Sequence, residues 1–397
     1  MCIELEQQNR NLFNKIGTPC FVIRSLKLDG LIDDLICASE KLHHNSIIGY
    51  SFKTNNSPWV ISHLKEKGLW AEVVSSDEYN LAKSLGFSCH NIIFNGPVKG
   101  KKEFIEAVEN GAVVNIDSYI ELEWLKEIDN IILQNSRLGL RVNFCIEDKC
   151  PGESQYGKED GRFGFSLETG DLGNAISFFF ENNIPLAGLH LHVSSKTRSL
   201  NIYKAIAETA LDVVEKYQLN LKYVDIGGGF FGGVSGKPSF LEYLSLVESI
   251  FDASQLLKDI QIIVEPGMSV IGASIDYLTR VVGTKQTRNN KFAFLDGSRI
   301  HIDPLMKKSS YTYKVIANDV GDDVSDLILC GFTCMENDRF FKYSGKKIGR
   351  DDYILFEKVG AYTMGLSPQF IEAYPAVYVE ENDEYRLVRA KQSLPLY

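Results

Sequence analysis

The chain has 397 residues, 42 of them basic and 52 acidic, for a net charge of -10, and its basic residues come only in short pairs such as Lys101-Lys102 and Lys307-Lys308. That balance argues against nucleic acid and anionic membranes as partners. No run of about 18 apolar residues occurs, and Met1–Arg10 lacks a basic start followed by an apolar stretch, so a cytoplasmic protein is expected. The eight cysteines have no paired spacing, and the seven histidines offer only His43-His44 and His190-x-His192. Neither a disulfide framework nor a metal site is expected.

From about residue 24 to 272 short apolar runs alternate with helix-like segments. The runs are 46–52, 71–74, 92–94, 113–116, 138–142, 186–192, 223–226 and 260–264, with helices expected at 57–67, 76–85, 101–109, 119–127 and 199–217. Ser57-Pro58 and Ser118 with Glu121 resemble helix starts. Eight strands interleaved with helices predict an α/β fold, a (β/α)8 TIM-type barrel. Beyond 272 the texture changes to strands without long helices, at 277–282, 291–295, 312–316, 327–330, 353–357, 376–379 and 385–389. This predicts an all-β C-terminal domain, sandwich-like or barrel-like, made of 273–397 with residues 1–23 joining its sheet.

Along this frame stand Lys53, His192-Val-Ser-Ser195, Gly227-Gly228-Gly229, Glu265-Pro-Gly267, Cys334-x-x-x-Asp338 and Gly360-Ala-Tyr362. Strand alternation places Gly49, Ser51 and Lys53 on one face, with Lys53 at the C-terminal end where barrel sites form. His190 and His192 then face the interior, opposite Leu189, Leu191 and Val193. The three glycines follow the seventh strand, so backbone N–H groups converge there on an anion without a Cβ in the way. An amine, a flat imidazole, an anion cradle and a carboxylate at the end of the last barrel strand are what a pyridoxal 5'-phosphate site needs. Taken singly, each has a plainer reading: a surface lysine, core histidines, a tight βα turn, a Glu-Pro-Gly surface turn.

Together these residues resemble the fold-type III pyridoxal-phosphate decarboxylases, the diaminopimelate and ornithine decarboxylase group, whose barrel is of the alanine racemase kind. The resemblance implies that Lys53 forms the Schiff base, with Glu72 beside it, and that His192 stacks on the ring. Ser195, Gly227, Gly228, Gly229, Gly267 and Tyr362 would hold the cofactor, and Glu265 would contact its ring nitrogen. It further implies a homodimer with shared active sites, in which Cys334 returns the proton after carbon dioxide leaves, and Asp338 lies in the same cross-interface segment.

The departures fall where the family recognises the far end of its amino-acid substrate. Met268 stands where arginine usually follows Glu-Pro-Gly, Asp303 where arginine precedes Pro304, Lys307 at a position often tyrosine, and Met335 where an acid follows the cysteine. Ser194 and Asp77 replace usual glycines. Lost charge partners predict an unusual amino acid or conjugate, decarboxylated in a specialised siderophore, polyamine or antibiotic pathway. The alternatives are diaminopimelate decarboxylation for lysine biosynthesis, an amino-acid racemase, or a catalytically silent regulatory homologue. Glu265 with Cys334 speaks against the racemase.

Overall fold

The computed structural model describes residues 13–155, 157, 159, 161–317, 322–382 and 384–394. The expectations for residues 1–12, the missing leader and membership of the β domain, lie outside these. The chain forms two compact units, Leu31–Ser269 and the pair of segments Met1–Gly30 and Val270–Tyr397.

After a first strand β1 (Cys20–Arg24), which belongs to the two-segment unit, come the eight strands of a barrel, with a two-residue strand, Phe165–Ser166, paired in parallel beside the fifth. The eight are β2 (Ser46–Ser51), β3 (Trp70–Val73), β4 (Ile92–Phe94), β5 (Val113–Ile116), β6 (Arg137–Asn143), β7 (Gly188–His190), β8 (Tyr223–Asp225) and β9 (Gln261–Val264). Each pairs in parallel with the next, and β9 pairs with β2, closing an eight-stranded barrel. Strands buried on both faces read as continuous apolar runs, as Ile92-Ile-Phe94 does. The surrounding helices bury one stripe. In Leu200–Tyr217 it is Ile202, Ala205, Ile206, Ala210, Val213 and Val214, at the three-and-four spacing of an amphipathic helix.

Ile47, Ile93, Val113, Ala187, Tyr223 and Ile263 form a buried apolar cluster at the strand starts, and polar side chains follow toward the C-terminal strand ends. Tyr223 fills the lower part of the barrel, where Gly139 and Gly188 leave room: a Cβ at either would collide with the Tyr223 side chain. The Tyr223 hydroxyl donates to Asn115 Oδ1 at 2.8 Å.

The second unit is a nine-stranded sheet. Its strands beyond β1 are β10 (Ile275–Gln286), β11 (Lys291–Leu295), β12 (Thr312–Ile316), β13 (Asp323–Cys330), β14 (Arg339–Lys346), β15 (Tyr353–Glu357), β16 (Ala376–Glu381) and β17 (Glu384–Arg389). The early strand joins this sheet as expected, antiparallel to β10 and parallel to β16. Cys20, Val22, Leu278, Leu355 and Ala376 pack beneath it.

Four local expectations differ from the structure. The first unit begins at Leu31 instead of 24, because Arg24 pairs with Asp276 (2.8 Å) and Glu380 (2.7 Å), which holds the start of helix Ser25–Glu40 to the sheet; it ends at Ser269 instead of 272. Strand β2 stops at Ser51, and Lys53 sits in a 3-10 turn, Phe52–Thr54. Ser118 does not cap its helix; Glu121 instead accepts the Asp117 N–H (2.9 Å) and pairs with buried Lys99 (3.0 Å). Strand β14 is unannounced in the sequence: a Gly345 at φ 153° and register shifts against β13 obscure its alternation.

Gly139→Ala should cost about 1–3 kcal/mol by overpacking against Tyr223 and Asn115, read as a lower urea midpoint. An unchanged midpoint would contradict this packing.

Candidate active site

The C-terminal ends of the barrel strands gather the predicted residues of the first unit. Just past β2, Lys53 Nζ donates to Glu72 Oε2 on β3 at 2.7 Å; the lysine side chain is 39% exposed and the carboxylate is buried at 1%. Ser51 also donates to Glu72. The amine is therefore held at a fixed point while open to the mouth of the barrel.

Glu72 Oε1 accepts from Asn95 Nδ2 at 3.1 Å, and the same amide group reaches Glu265 Oε1. The carbonyl oxygen of Asn95 accepts from Asn115 Nδ2 at 2.8 Å, and Asn115 also bonds Asp225 Oδ2 at 3.1 Å. His190 Nε2 lies 3.5 Å from Glu265 Oε2. Burial pushes the Glu265 carboxyl up, but the neighbouring His190 and the charge of Lys53 outweigh it and hold Glu265 well below the usual carboxylate range. Burial and then the charge of Glu265 raise Asp225 well above that range. The pair thus holds one charge, on Glu265, and one proton, on Asp225.

His192 is half-buried, with its Nδ1 enclosed and without a partner among the described residues. Burial, and next the charge of Arg141, lower its pKa to about 3, so the ring is neutral at physiological pH. Arg141 Nη2 donates to the His192 carbonyl at 3.2 Å.

Gly227 and Gly229 adopt φ +70° and +99°, and a Cβ on Gly228 would strike the Glu265 carbonyl. A Cβ on Gly229 would lie 2.9 Å from Ser195 Oγ, which brings this hydroxyl to the glycine turn. The Gly227 N–H is taken by Asp225 Oδ1 at 2.9 Å; the turn's donors are the N–H groups of Gly228 and Gly229. At Gly267 a Cβ would run into Thr54 Oγ1, so glycine here lets the end of β9 lie against the Lys53 turn. An open amine, a buried ionised carboxylate, an orphaned imidazole nitrogen and a glycine turn facing a hydroxyl fit pyridoxal phosphate.

The remaining predicted residues lie in the second unit. Cys334 is exposed and, with Met335 and Asp338, lines a cavity of about 250 Å³. Asp338 is not a free substrate contact: buried, it accepts from Ser298 Oγ (2.9 Å), Arg299 N (2.9 Å), Thr333 N (3.1 Å) and Thr333 Oγ1 (2.7 Å). It shapes the loop that presents Cys334. Asp303 likewise closes a turn, accepting from Arg299, the backbone of Lys307 and Lys308, and Tyr311. The Lys307 side chain is exposed. Tyr362 is 42% exposed, at φ +55°.

Asn95, Asn115, Arg141 and Asp225 belong to no motif. Their signal is a polar residue inside an apolar strand run, as in Val-Val-Asn115-Ile and Tyr-Val-Asp225-Ile, since a buried polar group needs a partner. Among the described residues, two sets of groups have metal-ligand chemistry, His190 with Asp225 and Glu265, and His43 with His44 and Glu248. The first is tied into the proton-sharing network. In the second, Glu248 Oε1 accepts the backbone N–H of both histidines, at 2.8 and 3.2 Å, and closes their turn.

Residues 31–272 match the family model for the pyridoxal binding domain of pyridoxal-dependent decarboxylases. The diaminopimelate decarboxylase of Aquifex aeolicus is 26% identical over 401 residues, covering 97% of this chain and 91% of its own. That of Archaeoglobus fulgidus is 26% identical over 395 residues, covering 96% and 92%. The crystal structure of diaminopimelate decarboxylase from M. jannaschii in complex with L-lysine superposes with a TM-score of 0.86 at 21% identity, over 97% of this chain and 92% of that one. The arginine decarboxylase of Paramecium bursaria Chlorella virus has the same fold, with a TM-score of 0.79 at 21% identity over 94% and 100%. Among the described residues no helix is long and apolar enough to cross a membrane. With its barrel closed around a lysine, an ionised glutamate and a glycine turn, the chain belongs to the family of pyridoxal-dependent decarboxylases and is a pyridoxal-phosphate-dependent amino-acid decarboxylase.

Proposed function

We propose that the chain removes one α-carboxylate of meso-diaminopimelate, the reaction for which its curated relatives are named. The observation that carries this is similarity to diaminopimelate decarboxylases along nearly the whole chain, second unit included. It supplants the specialised-pathway reading, which rested on side chains at positions 268, 303, 307 and 335 taken one at a time.

When bound, pyridoxal phosphate supplies an aldehyde that joins the substrate amine and a ring that draws electrons from the breaking bond. Lys53 supplies the amine that holds the cofactor between turnovers, and Glu72 fixes that amine in place. Ionised Glu265 holds a proton on the ring nitrogen, and Asp225, by keeping its own proton, prevents a second charge from competing. Neutral His192 covers the ring without adding charge. Ser195, Gly228 and Gly229 donate to the phosphate. The chain acts as a homodimer in which Cys334 from a second copy returns a proton to the α-carbon; its exposure and the anchoring of its loop by Asp338 support that role.

The test is carbon dioxide release by the full chain loaded with pyridoxal phosphate, offered meso-diaminopimelate, L-ornithine, L-arginine and L-lysine. Release from meso-diaminopimelate with formation of L-lysine is expected; release from ornithine or arginine but not diaminopimelate would overturn the assignment. Lys53→Ala should abolish both turnover and the lysine-dependent visible band of the cofactor. Cys334→Ala should keep the band and lower kcat by about 10²-fold or more, the loss of a general acid; full activity would refute the role. With its pKa near 3, His192 contributes no titration step near neutral pH, so His192→Phe should leave the pH profile of kcat/KM unchanged between about pH 6 and 8. A lost inflection would show that the imidazole titrates in turnover.

A further inference from the structure

Among the described residues, Arg198 is a cation without an anion beside its guanidinium. It is half-buried three residues past Ser195, with φ +53°, and its carbonyl accepts from the Tyr243 hydroxyl at 2.6 Å. Its guanidinium lies 5.1 Å from the centroid of Phe231 and sends Nη2 to Met268 Sδ at 2.8 Å. A thioether is a weak acceptor. Among the described residues, no carboxylate pairs with this guanidinium. Lys237 stands over the same Phe231 ring at 5.3 Å, which adds positive charge.

The position of these contacts identifies what the guanidinium faces. Met268 directly follows Gly267, Phe231 comes two residues after Gly229, and Arg198 itself comes three after Ser195. Each of the three segments that form the cradle therefore sends a neighbouring residue to the same point. A guanidinium fixed by its backbone, flanked by a ring and a thioether, and left without a counter-charge is arranged for bidentate binding of an oxyanion.

We propose that Arg198 is the anion-receiving residue of the barrel mouth and supplies from the loop after β7 the charge that Met268 does not. The oxyanion is a phosphate monoester or a carboxylate, the cofactor's phosphate or the substrate's second carboxylate. The inference rests on the barrel as a pyridoxal-phosphate site, and its carboxylate arm also on meso-diaminopimelate as substrate; the comparison of pyridoxal phosphate with pyridoxal holds whichever amino acid is decarboxylated.

Binding of pyridoxal phosphate and of phosphate-free pyridoxal to the cofactor-stripped full chain, followed by visible absorbance, tests it without turnover. The variants are Arg198→Met, Arg198→Lys and the exchange Arg198→Met with Met268→Arg. If the anion is phosphate, Arg198→Met weakens pyridoxal phosphate by about tenfold or more and leaves pyridoxal unchanged, and the exchange variant restores binding. If it is the substrate carboxylate, both cofactor affinities stay constant, while the spectral response of the loaded protein to meso-diaminopimelate needs about tenfold more ligand. Arg198→Lys, keeping charge without the fork, falls between wild type and Arg198→Met in either case. Equal losses for pyridoxal and its phosphate would mark a purely structural arginine, and no loss for any ligand would leave it without a binding role; either result overturns the proposal.

Discussion

The Glu265 carboxylate, buried inside the barrel, organises what surrounds it. Stripping such a group of water costs several kcal/mol unless partners replace the solvent, and Glu265 has them: Asn95, His190 at 3.5 Å, the charge of Lys53, and an Asp225 that keeps its proton. Asn95 passes the connection to Glu72, and Glu72 to Lys53, so Glu265 and Lys53 are tied through one amide. On the other side Asn115 ties Asn95 and Asp225 to the Tyr223 hydroxyl deep in the barrel. Removing one partner would strand a buried charge instead of deleting one contact.

This constraint accounts for several glycines. Gly139 and Gly188 admit Tyr223, the base of the network, and Gly228 allows the anion turn to lie against the Glu265 carbonyl. The same turn spends the Gly227 N–H on Asp225, so cradle and network are built on one strand end. Outside the barrel, Asp338 uses its oxygens on Ser298, Arg299 and Thr333, which gives the exposed Cys334 a defined loop.

Much of this was legible in the sequence because strand alternation and apolar runs report burial directly. The eight barrel strands, the early strand in the second sheet and the strand-end placement of Lys53, His192, Gly227 and Glu265 all follow from local pattern and order. What was hidden is pairing across the barrel. Asn95 follows β4, Asn115 lies on β5 and Asp225 on β8, and nothing local shows that they share protons and amides. Asp303 and Asp338 looked available for substrate because their backbone partners are fixed by turn geometry. The surroundings of position 268 were hidden for the same reason: Met268 reads as lost charge by itself, whereas the structure puts the Arg198 guanidinium against it. Specificity here depends on the space around a position, which a residue four segments away can fill.

The central claim is the division of charge between Glu265 and Asp225, and infrared spectroscopy of the loaded enzyme at neutral pH tests it most directly. The network predicts a buried protonated-carboxyl band that disappears in Asp225→Asn and persists in Glu265→Gln. A band that disappears only in Glu265→Gln would put the proton on the wrong residue and contradict the arrangement.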